Sequence, residues 1–370
     1  MYANENAFTK EDLRRFQAET LDQKIQRSFA KISEWFTRWK GQVYVSFSGG
    51  KDSTVLADLC AKWCAVCGDT LYLVFVDTGL EYPEIRKHVK EFAEWLRQKY
   101  EIEVVLEIVR PKMRFDEVIK KYGYPLITKE TSFCIYTARS TKKGKTYDKF
   151  IEGSKEAQRL NGRYSLARWK PLLDSDIPIS HMCCNVMKKQ PAKNYEKRTG
   201  RKPLIATMTE ESRMREQWWL KNGCNAFEGE RPRSTPMSFW TEQDVLQYIR
   251  TRNIPLASVY GQIEYANDPE QMRIEEFGLP DCGTEKLRTT GCDRTGCMFC
   301  GFGCHIEKRP TRFERLKQTH PRQYKYCIYC IEGGEYVDGR WQPNKEGLGL
   351  GHVFDELNEM YGDDFIKYRS

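Results

Sequence analysis

The sequence predicts an α/β fold, a parallel sheet flanked by helices, on three observations. First, short apolar runs alternate with stretches of helical spacing: Val43-Tyr44-Val45-Ser46-Phe47, Leu71-Tyr72-Leu73-Val74-Phe75-Val76 and Glu103-Val104-Val105-Leu106-Glu107-Ile108-Val109. Strands that alternate with helices form parallel sheets through crossover connections. Second, the glycine-bearing stretch Ser48-Gly49-Gly50-Lys51-Asp52-Ser53 joins the first run to a helical pattern that begins at Thr54. Third, Asp77-Thr78-Gly79 closes the second run. Two polar loops therefore leave strand carboxyl ends, where such sheets bind their ligands.

The elements follow in order. Residues 11–40 carry Leu13, Phe16, Leu21, Ile25, Phe29, Ile32 and Phe36 at helical spacing and read as a helical lead-in. Glu84 to Tyr100 is amphipathic and helical. Residues 138–170 read as a basic excursion, a solvated loop, a substrate lid or a nucleic-acid contact, with Arg139-Ser140-Thr141-Lys142-Lys143-Gly144-Lys145 at its start. Pro203 to Met208 reads as a fourth strand. Thr241 caps a helix whose first turn holds Glu242 and Asp244. Beyond about Asp268, cysteines and glycines crowd together and periodicity fades. The expected division is 1–40 lead-in, 41–265 nucleotide-binding α/β domain, and 266–370 cysteine-rich irregular region.

Composition bounds the function. At 370 residues with 40% hydrophobic and 13% aromatic content the chain can build a core. Charged content of 30% and a mean hydropathy of -0.69 describe a chain for water, and no apolar run is long enough to span a bilayer. The first residues lack a basic-then-apolar leader pattern, so a cytoplasmic location is expected. In that compartment fourteen cysteines indicate metal or redox chemistry over structural disulfides. The net charge of +8 suits a phosphate-rich ligand and permits nucleic-acid binding.

Ser48–Ser53 has the makings of a phosphate cradle. A strand that turns through two glycines into a helix leaves unpaired N–H groups at the positive end of the helix dipole, where anions bind. Lys51 adds a full charge, and Ser48 and Ser53 add hydroxyl donors. The spacing is not the Walker pattern, which places four residues between its first glycine and its Gly-Lys pair.

The loop resembles the PP-loop of the adenine nucleotide alpha hydrolases. Together with Val76-Asp77-Thr78-Gly79-Leu80-Glu81-Tyr82-Pro83, Thr209-Glu210-Glu211-Ser212-Arg213 and Phe239-Trp240-Thr241-Glu242-Gln243-Asp244-Val245, it resembles the PAPS reductase-like branch of that superfamily over roughly residues 40 to 260. The resemblance implies a Rossmann-like sheet. It also implies that Ser46, Ser48, Gly49, Gly50, Lys51, Asp52 and Ser53 hold nucleotide phosphates, with Asp77 and Thr78 near the nucleotide and Arg213 and Arg215 near phosphate or sulfate oxygens. Lys51, Asp52, Arg213 and Arg215 are the expected catalytic residues. Magnesium bridging the phosphates has Asp52 or Asp77 as its expected ligand.

His181-Met182-Cys183-Cys184 and Cys297-Met298-Phe299-Cys300 resemble the iron–sulfur members of the adenylyl-sulfate reductase group, in which a Cys-Cys pair and a distant Cys-x-x-Cys hold a 4Fe–4S cluster. Alternatively Cys292, Cys297, Cys300 and Cys304 bind a cluster among themselves, or Cys292 replaces Cys183, and zinc is the alternative metal. Cys327 and Cys330 form a second Cys-x-x-Cys, read as buried or auxiliary thiols. Two features depart from the reductases. The Glu-Cys-Gly-x-His nucleophile setting is not found in the sequence, and the phosphate loop keeps both glycines, the lysine and both serines. The expected activity is therefore ATP pyrophosphatase chemistry that adenylates an acceptor for sulfur transfer. The expected partners are an adenine nucleotide, a nucleic-acid acceptor and a sulfur donor or redox protein, with a homodimer admissible. Reduction of adenylyl-sulfate to sulfite is the alternative, and a nucleotide-binding accessory subunit without turnover is the third reading.

Overall fold

The computed structural model describes residues 8–155, 166–266, 286–329, 336–337, 340–341 and 343–369. Their contacts divide into two compact units, the first drawn from 1–77, 81–109 and 192–295, the second from 78–80, 110–191 and 296–370. This division cuts across the expected linear one, because 110–191 belongs with the cysteine-rich segment and not with the sheet.

The first unit holds the sheet. Its strands are β1 (Val43–Ser46), β2 (Leu71–Val76), β3 (Val104–Val109), and, after the two-residue β4 (Leu126–Ile127) of the other unit, β5 (Lys202–Leu204), β6 (Asn225–Ala226) and β7 (Arg233–Ser234). Their order is β3-β2-β1-β5-β7-β6. All neighbours run parallel except the β6–β7 pair. Val45 lies beside both Leu73 and Leu204 and is fully buried, which puts β1 at the centre. Near-continuous apolar strands are what burial on both faces demands.

The lead-in is two helices, α1 (Lys10–Gln17) and α2 (Leu21–Arg38), and not one. Each starts with a threonine capping box, Thr9 with Asp12 and Thr20 with Gln23, and the second box breaks the run. The apolar spacing continues across that break, so periodicity alone hides it. The phosphate loop leads into α3 (Lys51–Cys67), and β2 leads into α4 (Pro83–Tyr100). Asp58 on α3 is fully buried and is matched by Tyr248 Oη at 2.5 Å, Tyr100 Oη at 2.7 Å, Lys99 Nζ at 3.2 Å and Lys62 Nζ at 3.3 Å. A buried carboxylate needs such partners, and these come from α3, α4 and the helix Glu242–Thr251. Lys24 and Asp244, both buried, pair at 2.7 Å and tie α2 to that same helix.

The second unit is mainly helical. The basic stretch expected as a loop is instead the end of a helix, Lys129–Thr141, followed by the short helix Lys145–Asp148; residues 156–165 lie outside the described residues. Arg139 is structural, not solvated: its guanidinium donates to the carbonyls of Leu172, Leu173, Ser175 and Ile177. Among the described residues of the cysteine-rich region, Leu287–Thr289 pairs antiparallel with Ile263–Tyr265 in the first unit, and beyond residue 311 come the helices Arg312–Thr319, Pro321–Ile328 and Leu350–Tyr361. Among the described residues, no helix is long and apolar enough to cross a membrane.

Candidate functional site

The Ser48–Ser53 loop is built as its residue types require. Gly49 has φ +73°, and a Cβ there would meet Ile85 and Val89 methyls at 2.8 Å, so only glycine fits. Gly50 is the N-cap of α3. Ser48 and Ser53 share a hydroxyl hydrogen bond at 3.0 Å, the Ser48 N–H donates to Ser53 Oγ at 3.2 Å, and the Gly50 N–H donates to Ser48 Oγ at 3.3 Å. Ser46 ends β1. Lys51 is only 5% exposed, with Nζ 2.7 Å from Glu242 Oε1 and 2.6 Å from the Asp293 carbonyl. Its backbone N–H donates to Tyr260 Oη at 3.2 Å, and Tyr260 shares a 2.6 Å hydrogen bond with Thr295 Oγ1. Burial pushes the Tyr260 phenol up to about 12, so it stays protonated.

Asp52 points back toward this cluster. Its Oδ1 is buried without a hydrogen-bond partner among the described residues, and burial pushes its carboxyl up against the opposing pull of Lys51, Arg294 and Arg215. Arg215 pairs with Glu211, and burial pushes its guanidinium down. Arg213, on the same first turn, is exposed. Asp77, buried at the end of β2, accepts from Arg86 at 3.0 Å. Thr78 Oγ1 accepts from the Leu80 N–H at 3.2 Å in the second unit, where the Leu80 carbonyl accepts from Met298 N–H at 2.9 Å. That turn therefore packs with the Cys297–Cys300 segment.

The second unit also gathers thiols. Cys183 and Cys184 precede a π-turn at Asn185–Lys189, a helix distortion common at functional sites. Their sulfurs lie 3.9 Å apart. A hydrogen bond from Cys183, helped by the charges of Lys129, Lys188 and Lys189, pushes the Cys184 thiol down. The same bond, then burial, then Cys184, Cys300 and Cys297, push Cys183 up. The two-residue strand Gly301–Phe302 pairs with β4 and fixes the segment after Cys300. Cys304, whose thiol donates to the Gly301 carbonyl, and fully buried Cys327 continue the group beyond Cys300. Cys292 belongs to the first unit, where its N–H donates to Val259 O and its charge acts on Tyr260. Cys330 lies outside the described residues. Among the described residues no set of three or more His, Cys, Asp or Glu side chains is arranged to hold a metal ion. The fit to a cluster rests on the donor set: four soft thiols, Cys183, Cys184, Cys297 and Cys300, close enough to act on each other's charge.

The phosphoadenosine phosphosulfate reductase domain family matches residues 42–165 and 152–301. The chain belongs to that family. An uncharacterized protein of Methanocaldococcus jannaschii is 33% identical over 34% of this chain and 28% of its own length. Sulfate adenylyltransferase subunit 2 of Acinetobacter baylyi is 36% identical over 21% of this chain and 28% of its own length. The Streptomyces lavendulae protein of the same name is 26% identical over 62% of this chain and 58% of its own length. The chain thus spans less than two thirds of these relatives. The solved NMN synthetase of Francisella tularensis overlays 64% of this chain and 72% of its own with a TM-score of 0.31 at 13% identity.

Within this reductase-family domain, sequence reasoning missed Glu242, Tyr260, Asp293, Arg294 and Thr295. Glu242 carried only the signal of a first-turn helix acid, and 293–295 only that of spacing between cysteines. Their approach to Gly50, Lys51 and Asp52 is long-range, for which local pattern has no signal.

Proposed function

We propose that the chain is a PAPS reductase-like ATP pyrophosphatase that adenylates an acceptor for sulfur transfer. The observation that carries this reading is the intact phosphate loop, with both glycines, Lys51 and both serines folded between β1 and α3. An acceptor oxygen attacks the α-phosphorus of ATP, the bond to the bridging oxygen breaks, and pyrophosphate departs. Lys51 and the loop N–H groups hold the charge that develops on it. Arg215 neutralises charge at the edge of the site, with exposed Arg213 beside it. Asp52 or Asp77 would hold magnesium. The name of the sulfate adenylyltransferase relatives supports adenylyl transfer and assembly with another subunit.

A sulfur nucleophile then displaces AMP from the acceptor. Cys183, Cys184, Cys297 and Cys300 would hold a 4Fe–4S cluster, which when bound supplies a carrier for sulfur or electrons. Lys129, Lys188 and Lys189 offset negative charge at Cys184. The 47% exposed ring of Phe133, edge-on to His181 at 4.9 Å, suits a nucleic-acid acceptor that stacks a base. The test is release of pyrophosphate from ATP and magnesium by anaerobically purified protein, with iron counted per chain. No release with any acceptor ends this reading. About four irons per chain, the content of a full cubane, supports the cluster, and zinc alone removes it. The family name favours one rival, reduction of adenylyl-sulfate. Sulfite formed from adenylyl-sulfate and a thiol donor, without pyrophosphate release from ATP, would select it.

A further inference from the structure

The donors that the phosphate loop would offer a ligand already face oxygens of the chain itself. Lys51 Nζ lies between the Glu242 carboxylate at 2.7 Å and the Asp293 carbonyl at 2.6 Å. The Lys51 N–H faces the Tyr260 hydroxyl, which is joined to that of Thr295. A Cβ on Gly50 would stand 3.3 Å from Tyr260 Oη and 3.6 Å from Thr295 Oγ1, so this second wall closes directly over the loop. These contacts have the chemistry of a bound phosphate: oxygens on an ammonium and on a helix N-terminal amide.

We propose that Glu242, the Asp293 carbonyl and the Tyr260–Thr295 hydroxyl pair are the second wall of the phosphate site, with Glu242 an internal competitor that must leave when a pyrophosphate group arrives. The inference rests on the reading of Ser48–Ser53 as a phosphate cradle and names how that cradle is gated. The two hydroxyls carry no charge and can turn to donate to an arriving phosphate. The carboxylate can only accept, so it repels the same anion that Lys51 attracts. It is also the group free to move: the Glu242 side chain is 40% exposed, against 6% for that of Lys51. Its backbone N–H is held by Glu210 Oε1 at 2.8 Å, so the side chain can swing without disturbing the helix start.

The proposal makes a prediction of sign. Full-length protein in metal-free buffer is titrated calorimetrically with inorganic pyrophosphate, and Glu242→Gln is compared with the native chain. The expected result is binding at least tenfold tighter in the variant, with adenosine affinity unchanged because adenosine brings no charge. Glu242→Ala gives the same direction should the Gln variant fold poorly. Unchanged or weaker pyrophosphate binding overturns the competitor role, because a ligand-holding or purely structural Glu242 gives one of those results. If the native chain binds pyrophosphate and the variants bind it no tighter, only this inference falls. If neither native nor variant protein binds it, the cradle reading falls as well. Binding by the variants alone supports the inference in its strongest form.

Discussion

His88 shows how closely the residues behind the phosphate loop are packed. Its Nε2 sits 3.3 Å from Thr54 Oγ1 in the first turn of α3, and Phe47 and Phe92 flank the ring. Burial pushes its imidazole down to about 4. At neutral pH it is uncharged in the folded and the unfolded chain alike. As the pH falls through 6.5 the unfolded chain takes up the proton and the folded one does not, so stability is lost progressively down to about 4. The loss is of the order of 3 kcal/mol, from about 1.4 kcal/mol per unit of displacement. Urea unfolding at pH 7 and pH 4.5 should show a smaller drop for His88→Phe than for the native chain; equal drops would dismiss His88 as the cause. At this scale the sequence was readable wherever geometry is local: the turn at Gly49 and the helix start at Gly50 follow from residue type and order. Glu242 and Thr295 do not, because what matters about them is a partner some two hundred residues away. Arg139 misled for the same reason: a charge in a basic run reads as solvated until the carbonyls that surround it are known.

Among the elements, α3 is the one on which the first unit depends. It starts at the phosphate loop, and its buried Asp58 joins it to α4 and to the helix Glu242–Thr251. Asp58→Ala removes the charge that Lys62, Lys99 and two phenols surround, and stability should fall by about 3–5 kcal/mol, the usual cost of breaking a buried pair. Chemical denaturation measures this directly, and a loss below 1 kcal/mol would mean that Asp58 is no hub. Periodicity foretold the strands β1 to β3 and α3 and α4 to within a residue or a few, because apolar runs and amphipathic stretches are local signals. It failed at the α1–α2 break, where the apolar face continues through the interruption. It also failed beyond residue 310, where three helices follow a stretch, 291–304, whose crowded glycines and cysteines set the reading for everything after it.

At the scale of the whole molecule, the parallel sheet was foreseen, but the partition into units was not. The return of residues 110–191 to the cysteine-rich segment depends on contacts such as β4 with Gly301–Phe302, and no composition shift marks them. The sheet itself finishes unequally. On one side it stops at β6, two residues long; on the other it stops at β3, six residues reading Val-Val-Leu-Glu-Ile-Val. A stub cannot template another chain, but a long apolar margin can. The one charge in that margin, Glu107, is paired with Arg198 from the helix Gln190–Thr199, and a charge is the kind of residue that keeps such an edge from pairing with another chain. Glu107→Val should therefore shorten the lag before thioflavin-positive aggregates form on mild heating, while an unchanged lag would show the margin to be protected by other means. The strand that closes the sheet on one flank is thus also an open edge, and the charge of a single side chain interrupts its apolar run.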